Sequence, residues 1–119
     1  MTETRQVVYV VEDDDAVRDS LELLLKSDGK AVRTYENANE FLKDYSDDMA
    51  GCIVLDIRMP GMDGMELQKK LNEKHSLLPI IFVTGHGDVP MAVDAMKEGA
   101  VDFIQKPYRE EKEELSSIL

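Results

Sequence analysis

Residues 79–107 read PIIFVTGHGDVPMAVDAMKEGAVDFIQKP, and this stretch decides the fold. Pro79 to Thr84 is almost wholly apolar and rich in Ile and Val, the composition of a strand covered on both faces. Beyond it the spacing changes. Val89, Ala92, Val93 and Met96 recur at helical intervals, with Asp88 expected as the N-cap, Pro90 in the first turn and Gly99 as the stop signal. Val101 to Gln105 then returns to a strand-like run. A strand, a helix and a second strand in so short a stretch form a right-handed βαβ unit whose strands lie parallel.

The alternation continues towards the N-terminus. Gln6 to Val11 (QVVYVV), Ala31 to Tyr35 (AVRTY) and Cys52 to Ile57 (CIVLDI) are further short runs rich in Val and Ile. Between them lie helical stripes. Val17, Leu21, Leu24 and Leu25 form one, and Ala38, Phe41, Leu42 and Tyr45 form the next, opened by Asn37 as N-cap with Glu40 three residues on. Leu67 and Leu71 follow Asp63, again with Glu66 three on, and a last, mostly charged segment from Tyr108 to Leu119 is expected to be a fifth helix. Strands alternating with helices in this way predict an α/β domain over residues 1–119: a doubly wound, five-stranded parallel sheet with five helices.

Bulk properties narrow the function classes. With 119 residues and 43% hydrophobic content the chain has the size of one domain with one core. Its formal net charge of −11 argues against direct nucleic-acid binding, which runs on clustered cations. No apolar run approaches a membrane span, the N-terminus lacks the basic-then-apolar layout of a secretory signal, and the single Cys52 cannot form an intramolecular disulfide. A cytoplasmic location and a buried, inert thiol are expected.

In a doubly wound sheet ligands bind beyond the carboxyl ends of the strands. What the sequence puts there is polar: Glu12, Asp13, Asp14 and Asp15 after the first strand, Asp56 at the end of the third, Thr84 at the end of the fourth and Lys106 just past the fifth. Each has an ordinary reading alone. Acids opening a helix gain roughly 0.3–1 kcal/mol from its dipole; a Thr after a strand is usually a satisfied hydroxyl, and a Lys before Pro is usually solvated. Asp56 resists such a reading, because a carboxylate closing an apolar strand needs a cation or a metal. Together the set is coherent. Clustered carboxylates make an oxygen-rich site for a hard cation, Mg²⁺ before Ca²⁺, and a carboxylate facing a metal, a hydroxyl and an ammonium can accept a phosphoryl group.

These residues carry a specific resemblance. Over essentially its whole length the chain resembles response-regulator receiver domains of two-component signalling, which implies a flavodoxin-like sheet of strand order 2-1-3-4-5. VVEDD at Val10 to Asp14 is similar to the family's acidic pair, with Glu12 and Asp13 in the pair positions. LDIRMPGMDG at Leu55 to Gly64 is similar to the segment around the phosphoacceptor, which falls on Asp56. The resemblance implies that Arg58 offers its backbone carbonyl to the metal, that Thr84 and Phe103 are the switch pair, that Lys106 contacts the phosphoryl group and that the Lys106–Pro107 peptide is cis. TGHGDVPMAVDAMKEGAVDFIQKP, residues 84–107, is especially similar to the FixJ group, whose members join a receiver to a helix-turn-helix DNA-binding domain.

What the resemblance implies is a switch rather than an enzyme acting on outside substrates. A sensor histidine kinase would donate the phosphoryl group to Asp56 with Mg²⁺, and the changed surface would control transcription through an output domain not in this chain. The alternative is a stand-alone regulator acting by protein contact. Homodimerisation through helix four, strand five and helix five is the expected response to phosphorylation. Glu12 stands where Asp is commoner in the family, so its metal contact is expected to run through water. Two other aspects of the sequence oppose competing functions: Arg58 replaces the second acid of a dehalogenase-type DxD, and the first loop is too acidic to hold a flavin phosphate. His75 and His86 lack partners at ligand spacing and are expected to be solvated or capping.

Overall fold

The computed structural model describes residues 6–85 and 88–105. Their elements run β1 (Val7–Val11), α1 (Asp15–Ser27), β2 (Ala31–Tyr35), α2 (Ala38–Asp44), β3 (Gly51–Asp56), α3 (Gly64–Glu73), β4 (Ile80–Thr84), α4 (Val89–Lys97) and β5 (Asp102–Gln105). All pairings are parallel and the order is β2-β1-β3-β4-β5, as expected. The expected fifth helix lies outside the described residues.

Strand alternation divides the core into two layers. Tyr9, Val11, Ile53, Leu55, Ile80 and Phe82 face one side, where Phe41 of α2, Leu67 and Leu71 of α3, and Ala92 and Ala95 of α4 cover them. Val8, Val10, Val54, Ile81, Val83 and Ile104 face the other, against Leu21 and Leu25 of α1. Phe41 is fully buried and meets Tyr9 and Tyr35 edge-on, with ring centroids 5.9 and 5.2 Å away.

Two of the expected helix caps form. Asn37 Oδ1 accepts the Glu40 N–H at 2.8 Å and Asp63 Oδ1 accepts that of Glu66 at 2.9 Å, each filling one of the unsatisfied donors of a helix start. Asp88 does not cap α4 with its side chain. Its carboxylate is taken by two tertiary partners instead, described below. The α4 stripe also differs from expectation. Only Ala92, with Ala95, enters the core, while Val89, Val93 and Met96 are partly exposed. The small residues let the helix approach the sheet near Phe82, and the bulkier apolar residues turn outward. Tyr45 falls one residue past α2 as its C-cap, still packed on Phe41.

Candidate functional site

The parallel register brings the acids together. Val11 pairs with Leu55 in the last step of the β1–β3 ladder, so the next positions, Glu12 and Asp56, the last residue of β3, lie side by side at that end of the sheet. Carboxylate oxygens of Glu12, Asp13 and Asp56 all lie within 4.8 Å of one another. Glu12 and Asp56 are buried, 1% and 4% exposed, whereas Asp13 is exposed. The remaining two acids of the run have other work. Asp14 caps α1 by accepting the Val17 N–H at 3.0 Å, and Asp15 in the first turn pairs with Arg18. The helix-opening reading therefore holds for Asp14 and Asp15, and the cluster reading for Glu12 and Asp13.

Glu12 is held from several sides. Its Oε2 accepts the Asp14 N–H at 3.1 Å, its backbone N–H donates to the Tyr35 carbonyl at 3.1 Å, and its carbonyl accepts from Arg18 Nη1 at 2.9 Å. Asp56 Oδ1 accepts the Arg58 N–H at 3.4 Å. Behind Asp56, Gly64 opens α3 with its N–H donated to the Ile57 carbonyl at 2.8 Å. A Cβ added to Gly64 would lie 2.3 Å from the Asp56 carbonyl oxygen and 3.0 Å from Phe82. The quoted segment LDIRMPGMDG gave no sign of this close approach, which depends on where α3 docks. Gly64→Ala is expected to lower stability by about 1–3 kcal/mol, seen as a lower urea midpoint at unchanged m, because overpacking must push the Asp56 backbone aside.

Thr84 ends β4 fully buried, and its hydroxyl makes no hydrogen bond among the described residues. That is an expensive state for a polar atom unless a partner arrives. Strand alternation puts Thr84 on the face carrying Phe82, and Phe82 pairs with Phe103 of β5, itself packed on that core layer. Lys106 and Pro107 lie outside the described residues, as does His86. His75 is exposed, in a left-handed conformation (φ 58°) after α3.

Sequence reasoning missed one part of this region. Asp88, 8% exposed in its side chain, receives the Arg58 Nε–H at 2.5 Å on Oδ1 and the Gly85 N–H at 3.2 Å on Oδ2. The hydrogen bond from Arg58 to Asp88 and their attraction raise the guanidinium pKa further, and Asp63 adds to it. The loop after β3 is thus tied to the start of α4.

Among the described residues, the hollows of about 540 and 640 Å³ are not lined by Glu12, Asp13 or Asp56. The smaller lies at the opposite ends of the strands, lined in part by Gln6, Lys30, Cys52 and Val101. Burial pushes the Cys52 thiol up to about 11, with Lys30 opposing weakly. Since the thiolate is the nucleophile, alkylation of native protein at pH 8 should be at least about tenfold slower than after unfolding, measured with iodoacetamide. The raised folded value favours the neutral thiol. Its contribution to stability is therefore intact below the unfolded value near pH 9 and is lost as pH rises through about 11.

Residues 8–118 match the response regulator receiver domain family. The chain belongs to that family. It is 48% identical over 111 residues to the response regulator protein TmoT of Ectopseudomonas mendocina, covering 93% of this chain and 50% of that one. It is 49% identical over 109 residues to the transcriptional regulatory protein FixJ of Bradyrhizobium diazoefficiens, covering 92% and 53%. The solved structure FixJ-N superposes with a TM-score of 0.83 at 43% identity, covering 99% of this chain and 96% of that chain. The receiver chain thus spans about half the length of the curated relatives it matches. Receiver domains are parts of two-component signalling regulators, not enzymes in the ordinary sense. Among the described residues no helix is long and apolar enough to cross a membrane.

Proposed function

We propose that this receiver is a phosphorylation switch whose acceptor is Asp56. The observation that carries the reading is the cluster of three carboxylates from two adjacent strand ends, two of them buried. Buried like charges this close repel unless a cation joins them. The donor set is all hard oxygen, which suits Mg²⁺. The three carboxylate oxygens lie within 4.8 Å of one another, close enough for one small cation to be held among them. Glu12, Asp13, Asp56 and the Arg58 carbonyl would hold the ion, Glu12 through water. When bound, the ion offsets negative charge on a transferring phosphoryl group.

The chain's own residues do the rest. A sensor histidine kinase presents a phosphohistidine. One Asp56 oxygen forms the P–O bond as the P–N bond breaks, and the electron pair stays on the imidazole nitrogen. The Thr84 hydroxyl, buried with no hydrogen bond among the described residues, turns to a phosphoryl oxygen, and the Lys106 ammonium takes another. Phe103 moves into the space Thr84 leaves. Swinging a roughly 1:99 equilibrium to 99:1 needs about 5.5 kcal/mol of differential contact energy, within reach of such charge-assisted bonds.

The proposed readout is transcription, exerted in the cytoplasm through an output domain outside residues 1–119, since the regulators it resembles are about twice as long. The partly exposed Val89, Val93 and Met96 of α4 support dimerisation through α4, β5 and the segment that follows. Acetyl phosphate with Mg²⁺ tests the chemistry. Labelling that is stoichiometric, Mg²⁺-dependent and released by hydroxylamine is expected; label that survives hydroxylamine would mean an ordinary phosphoester and end the proposal.

A further inference from the structure

The two ends of α4 are fastened differently. At the C-terminal end, two amides of α3 one turn apart donate to α4 carbonyls: Gln68 Nε2 to Ala95 O at 3.0 Å and Asn72 Nδ2 to Glu98 O at 3.1 Å. Gln68 is itself buried. These are neutral bonds, indifferent to charge elsewhere. At the N-terminal end the fastening is ionic. Asp88, whose carbonyl accepts the Ala92 N–H at 3.0 Å and so begins the helix, is held through its carboxylate by Arg58 and by the Gly85 amide. Gly85 and Asp88 also bond reciprocally, the Asp88 N–H donating to the Gly85 carbonyl at 3.2 Å.

Arg58 is the only partner of this set that carries a positive charge, and its placement makes it divisible between two anions. It stands two residues after Asp56, with its own N–H on Asp56 Oδ1. Its side chain is 68% exposed, and among the described residues the ion pair with Asp88 is the polar contact its guanidinium makes. A phosphoryl group on Asp56 would bring about −1.5 to −2 charges and three acceptor oxygens, against one charge on Asp88. Guanidinium binds such oxygens in bidentate fashion. Asp63, the other acid acting on Arg58, is the α3 cap and stays engaged with Glu66.

Resting on the acceptor role proposed for Asp56, we propose that Asp88 is a charge-released latch: Arg58 holds it while Asp56 is unmodified, and phosphorylation draws the guanidinium away, freeing the N-terminal end of α4 while Gln68 and Asn72 keep its C-terminal end fastened. A carboxylate only 8% exposed cannot keep its place without a cation, so Asp88 turns to water and gives up the Gly85 N–H. The helix then pivots about its far end rather than sliding as a whole.

The Gly85 amide reports the latch, because Asp88 is its acceptor. Hydrogen exchange followed by NMR is to be measured on the full chain and on Arg58→Ala, each with and without acetyl phosphate and Mg²⁺. The substitution leaves the backbone groups of residue 58 in place and removes an exposed side chain, so the fold is retained. In unmodified protein, Arg58→Ala should speed Gly85 exchange about tenfold, the scale of one lost hydrogen bond to a charged group. Phosphorylation should speed it similarly in the parent and by less than about twofold in Arg58→Ala, while the Ala100 amide, bonded to Ala95 O, stays unchanged throughout. Unaltered Gly85 exchange in unmodified Arg58→Ala overturns the latch, and so does an equal response to phosphorylation in both proteins. Failure of Asp56 to take the label would overturn the acceptor reading alone, because the unmodified pair still decides whether Arg58 holds Asp88.

Discussion

Asp56→Asn is expected to abolish Mg²⁺-dependent labelling by acetyl phosphate, with no loss of folding. The substitution keeps the shape of the side chain and removes the oxygen anion that attacks phosphorus. An amide is a poor nucleophile, and no neighbouring group restores the lost charge. Two other acids, Glu12 and Asp13, stand within the same cluster, yet Glu12 is fixed by the Asp14 amide and Asp13 is at the solvent side. Stability should hold or rise, since one of three crowded negative charges disappears. Intact mass after donor treatment checks the first point and a urea titration the second. Equal label on Asp56→Asn and the parent would reassign the acceptor.

Asp13→Ala should separate the metal from the fold. Glu12 is the poorer choice for that test, because it is buried and bonded to the Asp14 amide, so its removal would disturb the loop as well. Asp13 is exposed, and its loss should alter the stability of metal-free protein by no more than about 0.5 kcal/mol. Binding is another matter. With one of three carboxylates gone, the Mg²⁺ concentration giving half-maximal labelling should rise between about tenfold and a hundredfold, roughly 1.4–2.7 kcal/mol of binding energy. A second readout does not depend on phosphorylation. Mg²⁺ at about 100 times its Kd adds about 2.7 kcal/mol to the stability of a protein that binds it only when folded. That increment should appear in full in the parent and fall to between about 0.4 and 1.4 kcal/mol in Asp13→Ala at the same Mg²⁺ concentration. An undiminished increment would exclude Asp13 as a ligand.

The order of elements was legible because both periodicities are strong here and the strands are nearly pure in Val and Ile. Asn37 and Asp63 were legible as caps because a cap is a contact between a side chain and a backbone amide three residues away. Asp88 looked the same in sequence and behaves differently. Its partners are Arg58, thirty positions distant, and Gly85, and that competition exists only once β3 and β4 are neighbours. The stripe on α4 misled for a related reason. Apolar spacing identifies the helix, but which of Val89, Ala92, Val93 and Met96 faces the sheet depends on how near the helix lies, and the small residues won.

For the candidate site, the strand-end placement of Glu12, Asp13, Asp56 and Thr84 was legible, because a parallel sheet gathers strand ends at one rim whatever the side chains are. That placement could not apportion the acidic run. Asp14 as α1 cap and Asp15 as partner of Arg18 emerge only from side-chain geometry. Gln68 gave no signal at all. A polar residue in an amphipathic helix reads as solvent-facing, and its burial against the Ala95 carbonyl follows from α3 packing on α4. Gly64 was hidden likewise, its missing Cβ explained only by the Asp56 carbonyl behind it.

Locating the acyl phosphate tests the central claim most directly. Protein treated with acetyl phosphate and Mg²⁺ would be reduced with borohydride, which converts a phosphorylated aspartate to homoserine, and then sequenced by peptide mass spectrometry. Homoserine at position 56 alone is the predicted result. Homoserine at position 13 or at any other acid, with Asp56 intact, would contradict it.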